Sequence, residues 1–283
     1  MIDETLSNKE YHATSDTSSS QIRYFLDSPM KYKASLDGEI VVEETDSMKF
    51  GTLAHSYILE RLDQMFVDDT DIVNAVLAKK DYANVRNTKD YKNEVKVVKE
   101  QGKFLVKGPD MARLKGMRKQ VMAIPNCKNC LSLDHGKPEV SFFTEVDGLR
   151  IKARADFYGE KNGKIYLVDY KTTSSGDFAN IQQAIGKWGY DIQAAHYKKV
   201  VEACVGKPVE HFYFIFQQKE APYEVAFVRL GDETMNAATE VLEKTYKKII
   251  AAICNDDFPS KYGTKTVQME SPDWRLNQLG AML

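Results

Sequence analysis

Two aspartates and a lysine in the middle of the chain have the residue types and spacing of a hydrolytic metal site. Asp156 ends one predicted strand, and Asp169 and Lys171 stand on the next. Side chains repeat every two residues along a strand, so Asp169 and Lys171 share a face. Two carboxylates on adjacent strands can bind Mg²⁺ or Mn²⁺ through oxygen, and the backbone carbonyl of Tyr170 can add a ligand. Lys171 can stabilise an attacking water as hydroxide or neutralise charge on a phosphate.

The acid-x-lysine triplet by itself is weak evidence for a site. Such triplets occur by chance in most proteins, and an exposed Asp–Lys pair on a strand contributes little to stability. The upstream Asp156, on a strand that follows a hairpin, makes the pattern moderately specific.

The predicted strands around these residues follow from alternation of apolar and polar side chains. Residues 140–146 form a β-rich run, Asp147-Gly148 indicates a hairpin turn, and residues 149–157 alternate strictly. We therefore expect one face of this second strand to carry Leu149, Ile151, Ala153, Ala155 and Phe157. A turn at 159–163 precedes a third strand at 165–172.

Helices are predicted on both sides of this strand region. Apolar residues at helical spacing predict one long helix over about 178–205 and another over 233–254, with strands at 211–217 and 223–230 between them. Upstream, short helices are predicted near 17–26 and 50–62, and mixed helix and loop over 71–124. This order predicts an α/β fold, a central mixed β-sheet flanked by helices. We expect a mainly helical N-terminal region (1–135) and a core (136–283) within one compact domain.

Three motifs in the same order resemble a known nuclease superfamily. Asp156, Asp169 and Lys171 resemble the core of the PD-(D/E)XK nucleases, although Asp169 stands where many members have Glu and no Pro precedes Asp156. Phe50-Gly51-Thr52-Leu53-Ala54-His55 is similar to the F-G-T-x-x-H element of the RecB-like and RecE-like members, and Gln193-Ala194-Ala195-His196-Tyr197 to their Q-x-x-x-Y motif. Ser18-Ser19-Ser20-Gln21-Ile22, with Ser28-Pro29 and Tyr32-Lys33 after it, resembles the opening of RecE-type (exodeoxyribonuclease VIII) domains.

The resemblance implies a role for each matching residue. Asp156, Asp169 and His55 would be metal ligands and Lys171 the catalytic lysine. Gln193 and Tyr197, one helical turn apart, would contact DNA or support the active site. Glu139 stands where related enzymes often have an acid on the preceding strand, and its role stays open.

Each of these residues also has a structural interpretation. His55, on a helix with Leu53 and Tyr57, could be a core histidine. Gln193 and Tyr197 could be a packing pair on a helix surface. His135 and His196 match no motif and are interpreted as surface or structural residues. Cys127 and Cys130 have zinc-site spacing, but no second ligand pair accompanies them, so ordinary thiols are the favoured interpretation.

Composition and charge bound the function classes. With 43% apolar and 28% charged residues the chain is neither disordered nor collagenous, and it has no apolar run long enough to span a membrane. The acidic start of the chain does not resemble a secretory signal, and four scattered cysteines suit a reducing compartment, so we expect the cytoplasm. Net charge is only −2, but residues 79–119 hold 13 Lys or Arg against 5 acids, which could be a phosphate-contacting surface or a solvated helical region.

The resemblance implies a Mg²⁺-dependent exodeoxyribonuclease, with Mn²⁺ as a substitute, that acts on double-stranded DNA ends. It would degrade 5′→3′ and leave 3′ single-stranded overhangs for recombination, in a bacterial cell or encoded by a prophage. It also implies a homo-oligomeric ring, trimeric or tetrameric, and a single-strand annealing protein as partner, with no membrane. Three alternatives remain open: a structure- or sequence-specific endonuclease on the same core, a nuclease of RNA or single strands, and a DNA-end-binding scaffold protein without turnover.

Overall fold

A computed structural model describes residues 1–264 and 266–282. The strands are β1 (Ile2–Asp3), β2 (Phe66–Asp68), β3 (Phe104–Val106), β4 (Gly136–Val146), β5 (Leu149–Lys161), β6 (Lys164–Thr173), β7 (Val209–Gln218) and β8 (Val225–Arg229). The helices are α1 (Asn8–Ala13), α2 (Ser19–Asp27), α3 (Pro29–Leu36), α4 (Asp46–Ile58), α5 (Asp69–Lys79), α6 (Lys89–Glu100), α7 (Gly108–Ala123), α8 (Pro125–Cys130), α9 (Phe178–Trp188), α10 (Tyr190–Val205), α11 (Asp232–Asn255) and α12 (Asp273–Gly280).

A six-stranded sheet in the order β1-β4-β5-β6-β7-β8 forms the centre of the molecule. Its neighbouring strands are antiparallel except for β6 and β7, which run parallel. A parallel pair needs a crossover connection, and here α9 and α10 supply it. The predicted α/β class with a mixed sheet and flanking helices is therefore confirmed.

Two hydrophobic cores, one on each face of the sheet, hold the helices in place. The first packs α2, α10 and α11 against residues such as Ala155, Leu167 and Phe214. The second packs α4, α7 and α8 against Val168, Tyr170 and Ile215. Helices from the N-terminal region thus cover both faces.

Side-chain alternation along β5 does not continue through Asp156, contrary to the sequence prediction. Leu149, Ile151, Ala153 and Ala155 all lie in the first core, as expected, but Phe157 lies in the second. The alternation of side chains between the two faces of the sheet is therefore interrupted at Asp156.

The helix predicted over 178–205 is two helices, and this prediction was wrong. Gly189 has a φ of +63°, the left-handed region that glycine adopts at little cost, and it ends α9 and begins α10. The apolar spacing on either side is helical, so periodicity alone does not show the break.

The N-terminal region is mainly helical, with two exceptions that the sequence analysis missed. β1 extends the central sheet beside β4, and β2 and β3 form a small parallel sheet of their own. The buried ammonium of Lys152 on β5 holds α1 against the sheet by donating to the carbonyls of Tyr11 (2.8 Å) and Thr14 (3.0 Å). Within the described part of the chain, no helix has the length and apolar character that crossing a bilayer requires.

Candidate active site

Three carboxylates stand in line across three adjacent strands. Pro138 pairs with Phe157 and Val140 with Ala155, so Glu139 on β4 faces Asp156 on β5. Phe157 pairs in turn with Val168 on β6, which places Asp169 next in the same line. Glu139 has a φ of +57°, an uncommon conformation for a residue other than glycine. Strained backbone of this kind often accompanies functional sites.

β5 and β6 separate at the level of Asp156, and its carboxylate replaces a backbone partner. Their ladder extends no further toward the site than Phe157 and Val168, which leaves the backbone N–H of Tyr170 without a strand partner. Oδ2 of Asp156 accepts that N–H at 2.7 Å. The ring of Tyr170 lies in the second core, where its hydroxyl donates to Oε1 of Gln217 at 2.6 Å. The gap between the strands is where Asp156 and Asp169 can approach one ligand.

Helix α4 brings His55 to the strands from the N-terminal region. Thr45 caps the helix, and Phe50, Ala54 and Ile58 bury its apolar face. A side chain on Gly51 would come within 3.3 Å of the Thr172 hydroxyl, so a small residue suits the contact with β6. Nε2 of His55 lies 3.2 Å from Oδ2 of Asp156. The histidine is therefore beside a carboxylate, and its interpretation as a core residue with apolar neighbours alone is not supported.

Glu60 and Arg154 also lie within the candidate site, and the sequence analysis missed both of them. Nδ1 of His55 lies 3.2 Å from Oε1 of Glu139 and 3.9 Å from Oε1 of Glu60. The other oxygen of Glu139, Oε2, lies 2.8 Å from Nε of Arg154. Glu60 follows His55 by little more than one helical turn, just after α4 ends, and this spacing was the signal available in the sequence.

Lys171 and Gln193 both contact Asp169. Nζ of Lys171 lies 2.5 Å from Oδ1 of Asp169, and Gln193 on α10 donates to Oδ2 at 2.7 Å. The ammonium also lies 5.0 Å from the ring centre of Tyr190, at the start of α10. Gly189 separates α9 from α10, so α10 starts in a new direction at Tyr190. This direction brings Tyr190 and Gln193 to Lys171 and Asp169 on β6.

A cavity of about 870 Å³ opens over these residues. His55, Asp156 and Lys171 line one side of it, and residues 4–8 with Tyr11 line the other. Tyr197, one turn beyond Gln193, is buried and also lines the cavity. Gln193 and Tyr197 are thus turned toward the site, and neither is a residue of an exposed helix surface.

Burial and mutual repulsion shift the titration of the acids. Burial raises the pKa of Glu139 to about 7, although His55 and Arg154 oppose the shift. Burial and the neighbouring Asp156 likewise raise the pKa of Asp169. Burial would raise the pKa of Asp156 too, but His55 and Lys171 outweigh it and the pKa is lowered. The pocket thus holds several acids whose ionised forms repel one another, so that ionising all of them together is unfavourable.

The acids around His55 favour its protonated form. Its burial acts to lower the pKa, yet Asp156, Glu60 and Glu139 together raise it well above the usual histidine value. A divalent cation in this pocket would supply positive charge in place of that proton, because a histidine ligand must be neutral at the coordinating nitrogen.

The donor set fits a divalent cation. One imidazole and several carboxylates make a mixed nitrogen and oxygen site of the kind that Mg²⁺ and Mn²⁺ accept. Oδ1 of Asp169 is buried and accepts no directed hydrogen bond, although Lys171 is close. Among the described residues, ligand atoms of His55, Glu60 and Glu139 also lie within 4.8 Å of one another. No such cluster in the described ranges includes Cys127 or Cys130.

Of the other histidines, His12 lines the cavity, whereas His135, His196 and His211 do not. His196, within the Q-x-x-x-Y segment, is fully buried between Tyr246 and the carbonyl of Lys152. Burial lowers its pKa to about 4, so it is a neutral structural residue, as interpreted from the sequence.

Comparisons with known proteins agree with the fold. Residues 18–268 match the family described as a PDDEXK-like domain of unknown function (DUF3799). A crystal structure of a protein from Eubacterium rectale, provisionally named an exonuclease, aligns with a TM-score of 0.59 at 16% identity, over 97% of this chain and 98% of that one. The structure of SSO0001 aligns over 70% of this chain and 85% of the other at 14% identity, and its TM-score of 0.27 is too low to support an assignment. No curated protein matches the chain in sequence.

Proposed function

Because the chain belongs to the family of PDDEXK-like domains, we propose that it is a metal-dependent exodeoxyribonuclease acting on the ends of double-stranded DNA. The proposal rests above all on one observation: His55, Asp156 and Lys171, which come from three separate elements, line the same cavity. Asp169 lies behind them in contact with Lys171. A structural histidine or a chance Asp–Lys pair would have no reason to converge in this way.

In the proposed site Asp156, Asp169 and His55 hold the cation, with the backbone carbonyl of Tyr170 as a further ligand. A bound Mg²⁺ or Mn²⁺ supplies Lewis-acid polarisation of the phosphodiester and lowers the pKa of water. Gln193 keeps the Asp169 carboxylate in one orientation through its 2.7 Å hydrogen bond. The Asp169 side chain is buried, and the low dielectric around it strengthens its electrostatic interactions.

Lys171 supplies the positive charge that phosphoryl transfer needs. Its pKa is raised: burial opposes the charge, but Asp169 and Asp156 more than compensate, so the ammonium stays protonated at neutral pH. A protonated Lys171 beside the cleaved phosphate neutralises charge that develops in the transition state. It can also hold an attacking water through its N–H donors.

A DNA path along the basic region is part of the proposal. Phe104, within the basic stretch 79–119, lines the rim of the cavity. On α6 the lysines Lys92, Lys96 and Lys99 are exposed. Arg113 and Arg118 of α7 are engaged with acids of the protein, whereas, in the part of the chain that the structure describes, Lys96 alone of these three lysines has an acid partner, the exposed Glu100. The lysines are therefore the better candidates for phosphate contacts.

The finer features of the proposal derive from the family resemblance. They are 5′→3′ polarity, 3′ single-stranded products for recombination, a ring of three or four copies, an annealing partner protein and a cytoplasmic location. The similarity to a protein provisionally named an exonuclease supports the exonuclease part of the proposal.

Linear duplex labelled at either the 5′ or the 3′ end, incubated with and without Mg²⁺, tests the proposal directly. We expect mononucleotide release from the 5′ label, dependence on Mg²⁺, and no cleavage of covalently closed circular duplex. Cleavage of the circle would indicate an endonuclease. Binding of ends without turnover in either Mg²⁺ or Mn²⁺ would indicate a scaffold protein.

A further inference from the structure

We propose that Glu139 is a positioning residue that holds the Nδ1–H of His55, so that Nε2 is presented to the metal beside Asp156. The inference rests on the proposed function, because it concerns the same metal site. It assigns to Glu139 a role other than that of a ligand.

The two nitrogens of the His55 ring face different acids. Nε2 lies 3.2 Å from Asp156, on the side where the strands separate. Nδ1 lies 3.2 Å from Oε1 of Glu139. A neutral imidazole that binds a metal through one nitrogen must carry its hydrogen on the other, and an acceptor there selects the tautomer. Glu139 is placed to be that acceptor.

Arg154 makes Glu139 a better hydrogen-bond acceptor than a metal ligand. Its Nε lies 2.8 Å from Oε2 of Glu139, and the guanidinium also donates to the carbonyl of Leu6. The arginine is mostly buried, with 11% of its side chain exposed. A fixed cation this close would repel a divalent ion bound to the same carboxylate. One oxygen of Glu139 therefore serves Arg154 and the other faces His55.

Glu60 is the competing partner for Nδ1. Its Oε1 lies 3.9 Å away, beyond hydrogen-bond distance, whereas Glu139 is at 3.2 Å. Glu60 lies just after the C-terminal end of α4, outside the line of carboxylates on the sheet. Glu60→Gln is consequently the competing variant to compare with Glu139→Gln, since both replace one carboxylate near the same nitrogen by an amide. Glu145→Gln, at an exposed position of the same strand β4, is the control.

The amide substitution is informative because each oxygen of Glu139 lies near a different donor, Nδ1 of His55 and Nε of Arg154. The carboxylate can accept from His55 and from Arg154 at once, but a glutamine has only one acceptor oxygen. If that oxygen stays with Arg154, the amide N–H₂ faces Nδ1 and favours the tautomer with hydrogen on Nε2. That tautomer cannot bind metal through Nε2.

Two measurements without DNA test the assignment: Mg²⁺ affinity by calorimetry, and the nitrogen shifts of His55 by NMR in the Mg²⁺-loaded protein. We expect the wild type to carry hydrogen on Nδ1 when loaded. Glu139→Gln and Glu139→Ala should weaken Mg²⁺ binding about 10- to 100-fold and lose the fixed tautomer. Glu60→Gln should weaken binding less than either, and the control Glu145→Gln should change affinity by less than about threefold. Thermal unfolding selects the variants that remain folded.

Three outcomes would overturn the inference. Unchanged affinity in both Glu139 variants would remove the positioning role. Loss of affinity as large as in Asp156→Asn, with the His55 tautomer preserved, would make Glu139 a direct ligand. A larger effect from Glu60→Gln would transfer the role to Glu60. Because neither measurement involves DNA, a protein that shows the expected shifts but cuts no substrate would refute the proposed function alone.

Discussion

Nε2 of His55 lies 3.2 Å from Oδ2 of Asp156, although one residue comes from a helix of the N-terminal region and the other from a strand of the core. The same Asp156 oxygen accepts the backbone N–H of Tyr170. One carboxylate thus links the helix to the strand that carries Asp169 and Lys171.

Replacing Lys171 should separate chemistry from metal binding. Lys171→Ala removes the charge that we propose faces the phosphate but leaves the proposed ligands. We therefore expect loss of turnover with DNA binding and much of the Mg²⁺ affinity retained. Asp156→Ala and Asp169→Ala should abolish turnover and also weaken Mg²⁺ binding. Gel-based cleavage and calorimetry measure the two properties. Lys164→Ala, on the exposed start of the same strand, is the control. Near wild-type cleavage by Lys171→Ala would contradict the assignment.

Replacing His55 should impair cleavage without unfolding the protein. His55→Ala removes the single nitrogen donor and leaves an oxygen site, which lowers metal affinity, so cleavage should fall strongly at low Mg²⁺. Raising Mn²⁺ should recover more activity than raising Mg²⁺, because Mn²⁺ is bound more tightly by a given set of ligands. Metal titrations of cleavage rate, alongside circular dichroism, provide the measurement. A folded His55→Ala protein with full activity in low Mg²⁺ would make His55 a structural residue.

The lysines of α6 should contribute to DNA binding in a salt-dependent way. Replacing Lys92, Lys96 and Lys99 together by alanine removes three exposed charges, and fewer counterions are then released on binding. We expect weaker binding and a shallower dependence of affinity on salt concentration. The matched control replaces Lys244, Lys247 and Lys248 of α11, which are also exposed. If the control alone flattens the slope, the DNA path lies along α11.

Burial of neutral His196 should make the protein less stable in acid. Its pKa is about 4 in the folded protein against 6.5 for an unperturbed histidine, so between these values the unfolded chain takes up a proton that the folded chain does not. Stability should therefore fall as pH drops from about 6.5 to about 4, by up to about 3 kcal/mol from this residue. Urea unfolding at pH 7 and pH 4.5 measures the difference. It should shrink in His196→Gln but not in His135→Gln, and an equal change in all three proteins would refute the explanation.

Two glycines near the helix break should respond to alanine in opposite directions. Gly189→Ala places a side chain at a φ of +63° and should destabilise the protein by about 1 kcal/mol. Gly186→Ala, inside α9 with open space around the position, should stabilise it by up to about 1 kcal/mol. Thermal or urea unfolding distinguishes them. Stabilisation by Gly189→Ala would mean that α9 and α10 can join into the continuous helix that the sequence pattern predicts.

The sequence by itself determined the local elements and the strand face shared by the acid and the lysine of the acid-x-lysine triplet. Alternation along 149–155 and along β6 has a period of two residues, so it shows the strands and places Asp169 and Lys171 on one face without any tertiary information. The apolar periodicity of α11 predicts its bounds to within one residue at each end. These features depend on neighbours only a few residues away.

Only the tertiary structure decided how distant groups meet. The contact of His55 with Asp156, the partnership of Glu139 with Arg154, and the placement of Glu60 depend on how α4 packs across β6, which no local pattern encodes. The reversal of side-chain direction at Asp156 and the break at Gly189 likewise interrupt regular periodicities. Resemblance to a nuclease family predicted His55 as a site residue, and the structure places it beside Asp156. The physical reason for its position is the burial of the apolar face of α4 in a core shared with the sheet.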